Sequence, residues 1–186
     1  MEREIIDKCL KYFSILIFIT SLVELILAII ISLIPIIVNS EVIPLINFIL
    51  SDSFQIAGSV SWILTIITPL FTLILGLFLY FIITKKQISI EYLSKYMMVF
   101  GLIIMIGTFI KLEYQYILQK VSVVIGTDTK QFLLVLIDPS ITPFSVLVLW
   151  TIQTSIYCGY TVLAIVITAG GLNKSLKIEK DQESRS

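Results

Sequence analysis

The 186-residue chain is 58% hydrophobic and only 14% charged, with a mean hydropathy of +1.03 and a formal net charge of zero. That is more apolar side chain than a water-soluble globule of this size can bury, and a zero net charge supplies no basic field for nucleic acid. With no histidine, the commonest general base, metal ligand and haem ligand are all missing, so neither cofactor nor metal is expected.

These properties predict an all-α integral membrane protein, a four-helix transmembrane bundle with short interfacial segments outside. A helix needs about 20 apolar residues to cross a hydrocarbon layer of roughly 30 Å. After the mixed-charge stretch 1–11, the run 12–38 satisfies that requirement and is the first predicted span. It is too long for the apolar region of a secretory signal, and no small-x-small cleavage site follows it, so it is expected to remain attached. Ser14, Ser21, Ala28 and Pro35 recur in it at heptad spacing, and Glu24 lies on the same stripe. A carboxylate at mid-span costs on the order of 2.5 kcal/mol or more unless it faces other helices and is partnered.

Residues 39–59 hold no Lys or Arg and read as an external connection. Within them, 44–50 are too apolar for a free loop and too few to span, which predicts a short interfacial helix with Pro44 near its first turn. The second span, 60–84, places Thr65, Thr68, Thr72 and Gly76 on one stripe beside Pro69, where a structural kink is expected. A short lysine-bearing turn leads to the third span, 96–118, whose Gly101, Thr108 and Gln115 share a heptad-spaced face with Ser94 just before it and with Lys111 beside Thr108. Residues 119–142 contain two apolar runs, 121–125 and 132–137, around Gly126-Thr127-Asp128-Thr129. A small hairpin and a pair of interfacial segments are equally consistent with them. The fourth span, 144–169, carries Thr151, Thr154, Ser155, Cys158 and Thr161 on one side and is expected to end at Gly170-Gly171. One membrane domain thus covers 1–171, and 172–186 are expected to form a disordered cytoplasmic tail.

Orientation follows from charge. The N-terminus, the turn at 85–95 and the tail together hold ten of the thirteen Lys and Arg residues, which predicts a cell-membrane protein with both termini cytoplasmic. The Asn173-Lys174-Ser175 sequon then lies on the untranslocated side and should go unused. The two cysteines, Cys9 and Cys158, fall at opposite ends of the chain, indicate no disulfide framework and take no functional role.

One constellation stands above helix packing. At about 1.5 Å per residue from the cytoplasmic helix ends, Glu24 lies roughly 18 Å deep and Lys111 roughly 22 Å, close enough to meet. Thr68, Thr72, Thr154 and Tyr157 count to the same layer and offer hydroxyls to it. The pair serves either as a satisfied ion pair that sets helix register or as a site for a proton, cation or small polar ligand, and the first role is preferred. No phosphate loop, cysteine cluster or triad marks an enzyme. The expected function is that of a small accessory or scaffolding membrane subunit, with the lipid bilayer and a second copy or another membrane subunit as partners. The alternative is a small oligomeric ion- or proton-coupled transporter or channel using the Glu24 and Lys111 layer.

Overall fold

In the computed structural model, the backbone is described for residues 2–85 and 90–183, and side chains for 8–84, 92–178 and 180. Lys86 and Ser89 of the turn, and Ser184 and Arg185 of the tail, lie outside the described residues.

Four long helices carry the described chain: α1 (Glu2–Leu33), α3 (Ile56–Lys85), α4 (Ile90–Lys120) and α6 (Phe144–Glu183). Each is long and apolar enough to cross a membrane. Between α1 and α3 run strands β1 (Pro35–Val38) and β2 (Glu41–Pro44) and a short helix α2 (Leu45–Ile49). Between α4 and α6 the same order returns as β3 (Ser122–Ile125), β4 (Asp128–Gln131) and α5 (Phe132–Ile137).

The first span is shorter than its hydropathy implies. Pro35 has no N–H to donate and biases Ile34 away from helical geometry, so α1 stops at Leu33. The remaining apolar residues form β1, paired antiparallel with β2 from Pro35↔Pro44 to Val38↔Glu41. The two-residue turn has positive φ at both Asn39 and Ser40, the type I′ geometry whose twist suits a hairpin. Pro44 then caps α2, within the stretch expected to be a short helix. Farther along, 121–125 and 132–137 part company: the first supplies β3 and the second is helical, as α5. The β3–β4 turn has positive φ at Gly126, where glycine bears no steric penalty.

The last helix also departs from expectation. It passes through Gly170-Gly171 and continues to Glu183, so the segment expected to be disordered is helical as far as it is described. The reason lies in packing. A Cβ on Gly171 would stand 2.7 Å from the Met98 amide nitrogen and 2.8 Å from the Ser94 carbonyl oxygen of α4. This glycine permits close backbone approach between helices and does not terminate one. The other limits shift modestly: the apolar portions run Lys8–Leu33, Ile56–Thr84, Tyr92–Lys120 and Phe144–Ile178, so α3 begins within the stretch expected to be a loop.

The chain divides into two compact units. One contains Met1–Ser21, Phe71–Phe109 and Cys158–Ser186. Small residues set its helix contacts: a Cβ on Gly76 would lie 3.2 Å from the Ser14 carbonyl oxygen, and one on Gly101 3.1 Å from that of Ala164. The other unit contains Leu22–Leu70 and Ile110–Tyr157, with both hairpins and both short helices. Its apolar core centres on Phe48, Phe54, Trp62, Phe132 and Trp150, all at most 5% exposed. Phe54 packs edge-on against Phe48 and Phe132, and Trp62 stacks on Trp150 with ring centroids 5.7 Å apart.

Candidate functional site: a buried Glu24–Lys111 layer

Glu24 sits on the inward stripe of α1 and Lys111 on that of α4, and both belong to the second unit. Lys111 Nζ donates to Glu24 Oε2 at 2.6 Å, with the side chains 1% and 0% exposed. The charged hydrogen bond is short because the low-dielectric surroundings offer neither ion a competing shell of water. The ammonium also lies 5.2 Å from the ring centroid of Tyr157, a cation–π distance. Tyr157 is itself fully buried and accepts a hydrogen bond from Gln153 Nε2 at 2.8 Å. Glu24, Lys111, Tyr157 and Gln153 thus form one connected polar group drawn from α1, α4 and α6.

The remaining residues counted to this layer are placed differently. Thr154 donates to Gln115 Oε1 at 2.7 Å and to the Trp150 carbonyl at 3.0 Å, making a second link between α4 and α6. Thr68 donates to the Leu64 carbonyl of its own helix at 2.9 Å. Thr72 belongs to the first unit, where it accepts from Ser21 Oγ at 2.9 Å. Ser21 is also 3.2 Å from Tyr160 Oη, which donates to Thr20 Oγ1 as well. Thr72 is thus tied to α1, the helix that carries Glu24, through Ser21 one turn away.

No protein-family model, curated protein or solved structure matches the chain.

Two participants were not in the expected layer. Gln153 is 1% exposed and bonds Tyr157; the helical i, i+4 spacing of the two was the available signal. Gln115 is 2% exposed, with its Nε2 unpaired among the described residues. Among the described residues no cluster of three metal-ligating side chains occurs. Chemically, the layer can hold two charges in apposition and restrain three helices.

Proposed function

We propose that this is a four-span protein of the cell membrane, with both termini cytoplasmic, that works as an accessory or scaffolding subunit by packing its helices against a second copy or another membrane subunit. The observation that carries the reading is the closure of the Glu24–Lys111 pair: both charges are buried and matched to each other. The outward faces of the long helices are large aliphatic and aromatic side chains, among them Ile19, Ile26, Phe71, Ile74, Phe78 and Phe109. Such faces suit lipid and a neighbouring helix equally, and association in a bilayer depends on packing between them. Native mass spectrometry from bilayer-like particles tests this directly. The expected result is a discrete oligomer or a stoichiometric membrane partner, and a lone monomer with no partner would count against it.

The orientation has its own test. In a background with Cys9→Ser and Cys158→Ala, single cysteines at Ser53 and Asp128 should react with an impermeant thiol reagent applied to intact cells. Cysteines at Ser89 and Ser184 should react only after permeabilisation. The reverse pattern would invert the topology and move both hairpins to the cytoplasm.

A second reading, a small oligomeric transporter or channel, draws support from one feature, the opposed carboxylate and ammonium beside the buried tyrosine. Four spans make a thin transporter, so this reading also requires at least a dimer. It is separated from the first by flux: a transporter moves protons or cations across reconstituted vesicles and an accessory subunit does not.

A further inference from the structure

Glu24 and Lys111 are 87 residues apart, and the same interval recurs throughout the second unit. Carried forward by it, β1 (Pro35–Val38) falls on β3 (Ser122–Ile125), β2 (Glu41–Pro44) on β4 (Asp128–Gln131), and the start of α2 at Leu45 on that of α5 at Phe132. Burial follows: Ile36 with Val123, Phe48 with Val135, and Ile49 with Leu136 are all buried. Past the short helices the interval grows by one residue, so that Trp62 falls on Trp150 and Thr65 on Gln153, again all buried.

Hydrogen bonds repeat as well. Within each half, the residue before the hairpin accepts from the first residue of the short helix, Leu45 N to Ile34 O at 2.9 Å and Phe132 N to Val121 O at 2.8 Å. Between halves the bonds are reciprocal: Ile37 N donates to Ile141 O at 2.8 Å, and its counterpart Val124 N donates to Ser53 O at 2.9 Å. Reciprocity of this kind, in which i meets j and the equivalent of j meets the equivalent of i, is the signature of a two-fold interface. On a two-fold axis each position meets its own equivalent. Trp62 stacks on Trp150, and Glu24 meets Lys111. The first unit shows the same interval by itself, with Ser14 beside Gly76 in one half and Gly101 beside Ala164 in the other.

We infer that the chain is two copies of one helix–hairpin–helix half, joined in tandem and paired within the second unit about a pseudo-two-fold axis, and that Glu24 and Lys111, unlike charges at equivalent positions on that axis, make each half take the unlike half as its partner. Pairing of two like halves would oppose carboxylate to carboxylate or ammonium to ammonium at a site where both side chains are buried from solvent. The charge pair acts as a pairing rule, as a single polar residue does in a coiled-coil seam. This holds whether the chain is an accessory subunit or a transporter.

The test uses the full chain in three charge variants. Glu24→Lys and Lys111→Glu, which oppose like charges, should each lower the recovery of folded, monodisperse protein by about tenfold or more. The exchanged variant, Glu24→Lys with Lys111→Glu, should restore most of it. It should fall short of native because Pro69 stands where the second half has Tyr157, so the exchanged ammonium loses its ring. The pseudo-symmetry has an independent readout: in the Cys9→Ser, Cys158→Ala background, the pair Ser53→Cys with Val124→Cys and the equivalent pair Ile37→Cys with Ile141→Cys should both cross-link on oxidation. The inference is overturned if exchange recovers no more protein than the single variants, if a like-charge variant folds as well as native, or if either cysteine pair fails to cross-link.

Discussion

Neutralising Glu24 alone, as Glu24→Gln, is expected to destabilise the protein by about 3–5 kcal/mol, the usual cost of stranding one member of a buried ion pair. The effect comes less from the lost 2.6 Å contact than from the ammonium left behind, which has no route to solvent at 2% exposure. Lys111→Met strands the carboxylate and should do similar harm. Removing both charges together should recover much of the loss, because a matched neutral pair leaves no buried ion. A double-mutant cycle on unfolding in one fixed detergent then reads a coupling of about 0.5–3 kcal/mol or more between the two positions. The same three proteins in reconstituted vesicles separate the two functional readings. A double variant that folds well and associates normally supports the accessory role, whereas one that folds well yet loses proton or cation flux supports the transporter. Additive effects on stability, with no change in flux, would remove the pair from both accounts.

The second large effect is expected at glycines that seem interchangeable in the sequence. Gly171→Ala drives a methyl group against the Met98 nitrogen and the Ser94 oxygen, both of them backbone atoms that cannot turn aside. Relief requires α4 and α6 to separate, so a loss of about 1–3 kcal/mol is expected, as for overpacking in a filled core. Gly101→Ala meets the Thr168 nitrogen at 2.9 Å and the Ala164 oxygen at 3.1 Å and should behave alike. Gly107 and Gly159 have nothing within 4 Å of the same added atom. There the substitution only removes backbone freedom from a helix interior, so Gly107→Ala and Gly159→Ala should be neutral or stabilising by up to about 1 kcal/mol. Thermal unfolding of the four variants distinguishes a packing role for these glycines from a generic flexibility role, under which all four would shift together.

Much of the fold was legible because a bilayer imposes a one-dimensional constraint. A helix that crosses it must be apolar for about 20 residues, and hydropathy along the chain reads that requirement directly. Four long apolar helices are present close to where the apolar runs lie. The inward stripe of α1 was legible for a related reason: side chains at heptad spacing share a face, and Ser14, Ser21, Glu24 and Ala28 are all fully buried, whereas Pro35, counted to the same stripe, lies past the end of the helix and is exposed.

Hydropathy does not say what removes a residue from water. Residues 35–38 are as apolar as the helix before them, yet Ile36 and Val38 are buried by protein in a hairpin, alongside Phe48, Phe54 and Phe132. Phe132–Ile137 had the composition of a strand and forms a helix, since local propensity is weaker than tertiary packing. A Gly-Gly pair fits both a helix end and a close helix contact, and the choice depended on Met98 and Ser94, more than seventy residues away in the chain. The repeat was present in the sequence all along, but as substitutions that keep burial and discard identity, Leu for Phe, Phe for Val and Glu for Lys. Spacing and hydropathy by themselves therefore determined four long apolar helices, small inward faces on α1, α3 and α4, and a carboxylate and a lysine at matched depth; on α6 the small residues Thr151, Ser155 and Cys158 are exposed, and the larger Trp150, Gln153 and Tyr157 are buried in their place. Only the tertiary structure decided that Glu24 and Lys111 are each other's partner and sit at equivalent places in two halves, because which faces meet depends on contacts between segments remote in sequence, and no local pattern encodes those.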